Sequence, residues 1–305
     1  MSKKVEIEVA GKKVMVSNLE KVLYPAAGFT KGQVIDYYIR IAPVLLPHLK
    51  NRPITLKRYP DGVDGFFFYE KQCPSHRPDW VKTTEVPSQR EEGKIDYCLM
   101  NDLPALVWAA NLADLELHTF LHRAPAITRP TSLAFDLDPG APADMMLCCR
   151  VALWLRAIFD ELGLQSFAKT SGSKGLQIYV PLNTAATYEK TKAFAHSLAE
   201  KMERDHPEHV VSRMQKALRK GKVLIDWSQN DEHKTTVNVY SLRAKPQPTV
   251  STPVNWQEVE STAKEGAAPL EFTSDAALQR VEKQGDLFAP LLTLKQRLPS
   301  LRSIA

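Results

Sequence analysis

No apolar run in the sequence approaches the roughly 18 residues of a membrane-spanning helix. Residues 1–13, MSKKVEIEVAGKK, also lack the apolar segment of a secretory signal peptide. These two absences predict a cytoplasmic protein with no membrane partner. Cysteine is scarce, because only four of the 305 residues are cysteines and no pair has the C-x-x-C spacing of metal and redox motifs. We therefore expect Cys73, Cys98, Cys148 and Cys149 to be reduced and partly buried.

Two common catalytic signatures are also missing. The Walker pattern G-x-x-x-x-G-K-[ST] does not occur, so phosphate binding by a Walker loop is excluded. His118 and His122 lie four residues apart, but no third ligand accompanies them at the spacing of a zinc motif. The remaining composition is ordinary, with 44% hydrophobic and 25% charged residues, which suffices for one large domain or two smaller ones. The formal net charge of +5 is compatible with a polyanionic partner.

The most informative stretch is LAFDLDPG, residues 133–140. Residues of strand character lead into Asp136 and Asp138, and Pro139 and Gly140 then end the strand. Because successive side chains of a strand alternate between faces, the two carboxylates share one face. A divalent cation would relieve their repulsion, since Mg²⁺ and Mn²⁺ prefer several hard oxygen ligands. Two solvated acids beside a turn explain this stretch equally well, so a metal site needs a third acid and an anion-binding loop.

Two further segments supply these missing parts. The strand-like run VLID delivers Asp226 at the start of the polar stretch DWSQN. The runs LQSFAKT and LQIYVPL read as two strands joined by the turn SGSKG, residues 171–175. Glycines let backbone amides approach a ligand, and two serine hydroxyls and Lys174 add donors. The turn therefore suits a triphosphate.

Three surface segments indicate nucleic-acid contacts. Asn18, Lys21 and Lys31 flank a predicted helix start, where helix-end amides favour a phosphate, although three solvated polar residues are the plainer interpretation. Four consecutive aromatics, residues 66–69, cannot all face a core from a strand, so some could stack on unpaired bases, with core packing the default for at least two. The run SRMQKALRKGK, residues 212–222, puts basic residues on one face of a predicted helix, as a phosphate contact or a solvated face.

Apolar spacing and capping patterns predict the main helices and a hairpin. Thr30 and Gln33 form a capping-box pattern before the first helix, which should end at Pro47. Alternation predicts a hairpin near the N-terminus, and helical periodicity is found at residues 30–47, 103–118, 144–162, 187–203, 256–260 and 276–283.

The motifs FDLDPG, TSGSKGL, and DWSQN followed by KTT and YSLR resemble the polymerase domain of bacterial ligase D and its stand-alone relatives, in the archaeo-eukaryotic primase superfamily. The resemblance covers about residues 18–243. It implies one primase-polymerase catalytic domain over residues 1–305, of the α/β (α+β) class, with mixed or antiparallel central sheets flanked by helices and an RRM-like catalytic core. Residues 1–125 would bind template and 5′-phosphate, 126–245 would form the catalytic core, and 246–305 would form a helical extension.

The resemblance also implies the site residues. Asp136, Asp138 and Asp226 would be catalytic and would bind two ions of Mn²⁺ or Mg²⁺. The residues implied in nucleotide binding are Lys57, His118, Ser171, Ser173, Lys174, Gln177, Arg219, Gln229 and Arg243. Those implied in binding the 5′-phosphate of downstream DNA are Asn18, Lys21 and Lys31, and those implied in template stacking are Phe68 and Tyr69.

The implied substrates are DNA ends or gapped duplexes with a 5′-phosphate, and nucleoside triphosphates with a preference for ribonucleotides. The implied protein partners are Ku and a separate DNA ligase, and the implied location is the nucleoid. One residue departs from the pattern, because Gln177 stands where the family often has histidine after SGSKGL. Glutamine cannot carry a proton's charge, which predicts weaker nucleotide affinity or slower turnover. A length of 305 residues leaves no room for ligase or nuclease modules, which we expect on separate proteins.

Two other functions fit part of the pattern. A haloacid dehalogenase-type phosphohydrolase also places D-x-D after a strand, but Pro139 and Gly140 stand where that family has a threonine-type motif. A non-catalytic nucleic-acid-binding module would gain nothing from carboxylates that repel phosphate. The sequence therefore predicts a template-directed, DNA-dependent nucleotidyltransferase that extends or fills short DNA gaps and ends in non-homologous end joining.

Overall fold

The structure is a computed structural model that describes residues 4–88 and 93–304. The described residues form two compact units. The first unit comprises those of 1–125, 235–251 and 272–285, and the second comprises those of 126–234, 252–271 and 286–305. Each unit contains one six-stranded sheet. Among the described residues, no helix is both long enough and apolar enough to cross a membrane.

The described residues form strands and helices in a mixed order along the chain. The strands are β1 (Lys4–Val9), β2 (Lys12–Ser17), β3 (Val22–Tyr24), β4 (Phe29–Thr30), β5 (Pro53–Arg58), β6 (Phe68–Glu70), β7 (Thr83–Pro87), β8 (Lys94–Leu99), β9 (Asp114–Thr119), β10 (Ser132–Pro139), β11 (Phe167–Thr170), β12 (Leu176–Pro181), β13 (Val210–Val211), β14 (Val223–Asp226), β15 (Thr236–Val237) and β16 (Pro253–Val254). The helices are α1 (Lys31–Leu49), α2 (Leu103–Asn111), α3 (Met145–Glu161), α4 (Tyr188–Asp205), α5 (Trp256–Thr262), α6 (Ser274–Gln284) and α7 (Pro290–Thr293).

The first unit is built on the sheet β15-β9-β5-β8-β7, in which β6 also pairs with β5. The predicted N-terminal hairpin is present as β1 and β2. The predicted capping box is also present, because Thr30 and Gln33 exchange hydrogen bonds at the start of α1. The helix buries its apolar stripe and continues two residues past Pro47, since the N–H of Lys50 still reaches the carbonyl of Leu46 at 2.9 Å. The hairpin and the capping box are therefore confirmed, and the predicted end of the helix at Pro47 is two residues too early.

Two predictions for this unit are wrong. Helix α2 ends at Asn111, so Leu115 and His118 lie on β9 instead of on a helix. The Asn111 side chain binds the backbone of the β1–β2 hairpin, and Ala113 adopts a φ of +58°, which turns the chain into the strand. The aromatic run is also only partly a strand, because β6 begins at Phe68.

The cysteine prediction is wrong for one pair. Cys73 and Cys98, separated by 25 residues, are joined in a disulfide. The N–H of Cys73 binds the carbonyl of Asp96 at 2.7 Å, which holds this loop against β8 next to Cys98. A pair made by such a long-range contact has no short spacing for sequence analysis to detect. Cys148 and Cys149 are free and buried, as predicted.

The second unit is built on the sheet β13-β14-β10-β12-β11-β16. Its strand pairs are antiparallel except for β13 with β14, so the predicted mixed sheet is confirmed. Strand β10, which carries the D-x-D pair, lies between β12 and β14. Helix α3 packs on these three strands, and α4 also packs on β10. Both helices begin close to the predicted starts, where the side chains of Asp144 and Thr187 accept backbone N–H groups of the first turns.

The basic segment of the second unit does not form the predicted α-helix. Residues Lys216–Leu218 form one 3₁₀ turn, and the chain then closes on Gly221 at a φ of +71°. The N–H of Gly221 binds the carbonyl of Gly140 at 2.9 Å, and the N–H of Gly140 binds the carbonyl of Lys222 at 2.9 Å. Backbone groups of this segment therefore form hydrogen bonds with the turn that follows β10 instead of with an α-helix of their own. A local sequence pattern does not show such a contact with a distant segment.

Candidate active site

Three carboxylates occupy one face of the sheet in the second unit. Asp136 on β10 is the direct partner of Asp226 on β14 in the antiparallel register. Directly opposed residues project to the same face, and Asp138 projects there too because it lies two residues further along β10. Asp136 and Asp226 are half-buried and Asp138 is exposed. The structure therefore brings together the three acids that the sequence analysis selected.

The electrostatics of this face indicate a cation-binding surface. Burial, together with the charges of Asp138 and Asp226, raises the pKa of Asp136 to about 6, although a hydrogen bond from Gln177 and the charge of Lys169 act in the opposite direction. Like charges held this close favour a bound cation. Their hard oxygen donors are those that Mg²⁺ and Mn²⁺ prefer, so the donor set fits such an ion.

The three carboxylates do not form a complete metal-binding group in this structure. No group of three His, Cys, Asp or Glu side chains in residues 4–88 and 93–304 has the arrangement to hold a metal ion. Both carboxylate oxygens of Asp226 are held by neighbouring side chains or backbone, and Oδ1 accepts hydrogen bonds from the Ser228 N–H at 2.9 Å and from the Ser228 hydroxyl. Its Oδ2 accepts from Gln229 Nε2 at 3.0 Å, so Gln229, predicted to bind nucleotide, here orients a carboxylate.

The predicted triphosphate loop packs directly against the D-x-D strand. A Cβ atom on Gly175 would lie 2.1 Å from the carbonyl oxygen of Leu137, which separates the two acids in sequence. Only glycine permits this close approach. The Ser171 hydroxyl oxygen accepts the N–H groups of Ser173 at 3.2 Å and Gly175 at 3.1 Å, which shapes the turn. Lys174 is exposed at the tip of the loop.

Arg219 supplies a cation next to the acids. Its Nη1 lies 4.0 Å from a carboxylate oxygen of Asp138, and its Nη2 donates to the carbonyl of Met214 at 2.6 Å. Its buried Nε has no hydrogen-bond partner among the described residues. A buried donor without a partner is costly, and an anionic ligand at this position would satisfy it.

The first unit contains a buried ion cluster that the sequence analysis missed. Glu116 on β9 is 2% exposed, and it accepts contacts from Lys57 Nζ at 3.2 Å, His118 Nε2 at 2.9 Å and Arg243 Nε at 3.4 Å. We call these four residues the Glu116 cluster. Three of its members were predicted to bind nucleotide. The acid that they contact lies in β9, which reads DLELHT and contains no recognisable motif.

The cations of this cluster dominate its electrostatics. Burial alone would raise the pKa of Glu116, but the hydrogen bond from His118 and the charges of Arg243 and Lys57 hold that pKa well below its usual range. Burial lowers the pKa of His118, although its contact with Glu116 acts in the opposite direction, and its Nε2 donates to the carboxylate. One carboxylate thus faces Lys57 and Arg243, and the cluster retains a net positive charge.

The predicted 5′-phosphate residues meet at the start of α1. The N–H of Lys31 binds the carbonyl of Lys21 at 2.8 Å, and the N–H of Lys21 binds the carbonyl of Asn18 at 3.0 Å. Burial, with the charges of Lys21 and Arg58, lowers the pKa of Lys31 to about 8. The first amides of α1 are themselves hydrogen-bonded, because the N–H of Gly32 binds the carbonyl of Leu19 at 2.8 Å and that of Gln33 binds the Thr30 hydroxyl. The signal for an anion site is therefore the set of cations that destabilise one another.

The predicted stacking residues lie beside cations of β5. The guanidinium of Arg58 lies 5.1 Å from the ring centroid of Phe68, and Lys57 Nζ lies 5.4 Å from that of Tyr69. Tyr69 is 55% exposed and Phe68 is half-buried. Phe66, at 69% exposed, and Phe67, at 46%, present more aromatic surface nearby, so the chosen pair covers only part of the exposed aromatic surface.

Asn230 fixes the register that sets Asp136 opposite Asp226. Its side chain is fully buried and pairs with the backbone of Ala134 on β10, accepting from the N–H at 3.0 Å and donating to the carbonyl at 2.7 Å. It also donates to the carbonyl of Trp227 at 2.8 Å. The amide therefore extends the β10–β14 ladder beyond the end of β14. The motif DWSQN contained this residue, but sequence alone assigned it no role.

We expect Asn230→Asp to lower the free energy of unfolding by roughly 3 kcal/mol, because a buried carboxylate cannot donate to two carbonyls. Urea denaturation measures this loss. Nucleotide incorporation per folded molecule should also fall, since the register of the acids loosens. Asn183→Asp is the matched control, because Asn183 likewise donates to two carbonyls, those of Leu291 and Leu294. That variant should lose stability and keep its activity per folded molecule.

A mixed sheet with a D-x-D strand, a facing third acid and a glycine-flanked anion loop defines a nucleotidyltransferase of the polymerase kind. The family described as "LigD, primase-polymerase domain" matches residues 30–288. This chain therefore belongs to the LigD primase-polymerase family, which confirms the resemblance and the enzyme class. Membership implies dependence on a divalent metal ion.

Known relatives agree with this assignment. The "Multifunctional non-homologous end joining protein LigD" of Mycolicibacterium smegmatis is 40% identical over 285 residues, covering 92% of this chain and 36% of the relative. The "Bifunctional non-homologous end joining protein LigD" of Bacillus subtilis is 33% identical and covers 90% and 43%. The chain thus spans less than half the length of these curated relatives.

A solved structure confirms the fold. The "Polymerase Domain from Mycobacterium tuberculosis Ligase D in complex with DNA" aligns with a TM-score of 0.85 at 38% identity. The alignment covers 93% of this chain and 99% of that one. The predicted α/β class with mixed and antiparallel sheets flanked by helices is therefore confirmed.

Proposed function

We propose that this protein is a template-directed, DNA-dependent nucleotidyltransferase that extends or fills short DNA gaps and ends in non-homologous end joining, with a preference for ribonucleotides. The observation that carries the proposal is the register that sets Asp136 opposite Asp226, with Asp138 on the same face. Relatives named for end joining and a structural neighbour described in complex with DNA support it. We also propose that residues 1–305 act as one catalytic domain.

The acids give this surface its chemistry. Asp136, Asp138 and Asp226 would hold two divalent ions, Mn²⁺ or Mg²⁺. Such ions would supply Lewis-acid activation of a primer hydroxyl and charge neutralisation of a triphosphate for in-line phosphoryl transfer. Ser228 and Gln229 hold the Asp226 carboxylate in place, and the hydrogen bond from Gln177 does the same for Asp136. The chain's own contribution is thus a rigid set of oxygen ligands on a sheet.

The loop and Arg219 would bind the triphosphate. Ser171 orders the turn, Ser173 and Lys174 would contribute donors at its tip, and the unpartnered Nε of Arg219 would donate to the bound anion. The acids alone would repel the negative charge of the triphosphate. The donors of the loop and the positive charge of Arg219 would offset that repulsion. In the first unit, the Glu116 cluster offers further cations for phosphate or ribose, and Phe68 and Tyr69 offer rings for unpaired template bases.

Primer extension on a gapped duplex tests the proposal. The substrate carries a 5′-phosphate or a 5′-hydroxyl at the gap, and each reaction contains ribonucleotides or deoxyribonucleotides with Mn²⁺ or Mg²⁺. We expect templated addition that is fastest with ribonucleotides, Mn²⁺ and the phosphorylated gap. Release of phosphate without extension would favour a phosphohydrolase, and DNA binding without extension would favour a non-catalytic module.

Recognition of the 5′-phosphate should depend on pH through Lys31. Its pKa of about 8 lies below the ordinary lysine value, so the ammonium is charged at pH 7 and largely neutral at pH 9.5. Above pH 8, phosphate binding must recruit a proton, and the affinity advantage of phosphorylated over hydroxyl-ended DNA should fall by about tenfold between these pH values. Fluorescence anisotropy with both DNAs measures this ratio.

The control for this prediction is Lys31→Met, which removes the titrating group. Its phosphate advantage should be small and the same at pH 7 and pH 9.5. The phosphate itself is a dianion over this range, since its second pKa is about 6. A wild-type ratio that does not change with pH would contradict the assignment of Lys31.

We further propose that the protein acts at the nucleoid in the cytoplasm with Ku and a separate DNA ligase. The support is the naming of its relatives as end-joining proteins. Rejoining of a linearised plasmid with complementary purified components tests this. Joining that requires gap filling should need this protein, and joining of blunt ends should not.

A further inference from the structure

Lys169 on β11 is a charged side chain in the interior that the chemistry above does not use. It is 1% exposed, and its Nζ donates to Oε1 of Gln177 at 2.6 Å. The ammonium also lies 5.6 Å from the ring centroid of Tyr179. Burying an ammonium is costly even with a hydrogen bond, and a neutral residue of similar length would fill this space more cheaply. A functional role for the positive charge would explain why a lysine stands at this position.

The strand register connects this lysine to the acids. Lys169 is the direct partner of Gln177 across β11 and β12, and Gln177 is the direct partner of Asp136 across β12 and β10. Asp136 in turn faces Asp226 across β10 and β14. Directly opposed residues share a face, so these four side chains form one row across the sheet. The row begins at a buried cation and ends at the carboxylates.

Hydrogen-bond chemistry fixes the direction of the central amide. A lysine ammonium can only donate, whereas a glutamine amide has one accepting and one donating end. The contact with Lys169 uses the accepting Oε1 of Gln177. The donating Nε2 then faces the other neighbour in the row, Asp136, with which Gln177 forms a side-chain hydrogen bond. The reversed amide would direct an oxygen at a carboxylate.

We propose that Lys169 is a positioning residue for nucleotide binding, which holds the amide of Gln177 with its N–H groups toward the acids and the incoming triphosphate. The lysine also contributes the positive charge that glutamine lacks. This inference rests on the proposed function, because it assigns the row to the nucleotide site. It accounts for a buried lysine in a sheet whose other end carries three acids.

The first test replaces the ammonium and keeps its volume. Lys169→Met should weaken binding of a nucleoside triphosphate in Mn²⁺ without DNA by about tenfold, as measured by isothermal titration calorimetry. In primer extension KM should rise by a similar factor, with a smaller change in kcat. The side-chain NH₂ signals of Gln177 in ¹⁵N spectra, assigned through Gln177→Glu, should shift or broaden. Val180→Ala, at a buried position on the opposite face of β12, should lower Tm without changing nucleotide affinity.

The second test exchanges the central residue. Gln177→Glu can pair with Lys169, so the variant should keep its Tm, but it offers oxygen to the acids and should lose about tenfold in nucleotide affinity. Gln177→His should weaken binding in the wild-type background, because a protonated imidazole would face the ammonium. In the Lys169→Met background the same change should restore most of the lost affinity, since imidazole can donate and carry charge.

The outcomes separate this inference from the proposed function. A folded Lys169→Met or Gln177→Glu variant with wild-type nucleotide affinity would overturn the role of Lys169 while leaving the polymerase assignment intact. A double variant no better than Lys169→Met would also overturn it. A wild-type chain that binds no nucleotide would refute the proposed function and this inference with it.

Discussion

Asp226→Ala should reduce primer extension by about a thousandfold or more, because it removes one of three carboxylates that hold the divalent ions. Asp226 is the only one of the three outside the D-x-D strand, and its placement opposite Asp136 depends on strand pairing. DNA affinity should stay within about twofold of wild type, since an acid contributes nothing favourable to phosphate binding. Single-turnover extension and anisotropy on the same gapped duplex measure both quantities.

Asp231→Asn is the matched control for this variant. Asp231 lies five residues further along the chain, and its carboxylate pairs with Lys192 at 2.5 Å. Loss of this partly exposed ion pair should cost little stability and should leave extension within about twofold of wild type. Extension by Asp226→Ala at the rate of this control would show that the acid face is not the catalytic centre.

Gly175→Ala should abolish extension and lower the free energy of unfolding by about 3 kcal/mol. The added Cβ would lie 2.1 Å from the carbonyl oxygen of Leu137 and 3.2 Å from its carbon. Both partners are backbone atoms, so relief requires moving either the anion loop or the strand between Asp136 and Asp138. Either movement separates the loop from the acids. Thermal unfolding and primer extension measure the two effects.

Gly163→Ala separates this clash from a general cost of replacing glycine. Gly163 adopts a φ of +69°, and an added Cβ would meet no atom within 4 Å. The substitution should therefore cost about 1 kcal/mol of stability through backbone strain alone and leave activity unchanged. Wild-type extension by Gly175→Ala would contradict the packing of the loop against β10.

Helices whose signals are local were predictable from sequence. The capping box at Thr30, the caps at Asp144 and Thr187, and the apolar spacing that follows each of them act within a few residues. Their helices formed where these signals placed them. The predictions failed where a contact with a distant segment decides the local structure. The backbone N–H of Gly221 binds Gly140, and the side chain of Asn111 binds the N-terminal hairpin.

Some residues of the candidate site could likewise be predicted from local motifs, and others could not. The motifs FDLDPG, TSGSKGL and DWSQN identified the acid strand, the loop and the third acid, because each motif is short and each residue type has a specific chemistry. Glu116 and Lys169 were not identified, because both lie in strands whose burial and partners depend on other segments. The disulfide between Cys73 and Cys98 was not predicted either, because its two cysteines meet through a contact between distant segments.

The residue types that this chain can use for chemistry, the class of its fold and its family can all be inferred from its motifs. The placement of Asp226 opposite Asp136, the contact of Gly175 with Leu137 and the position of Lys169 in the same row depend on how the strands pair. The physical reason is that strand register is set by hydrogen bonds between segments far apart in the chain. Shifting one strand by a single residue would turn its carboxylate to the opposite face of the sheet.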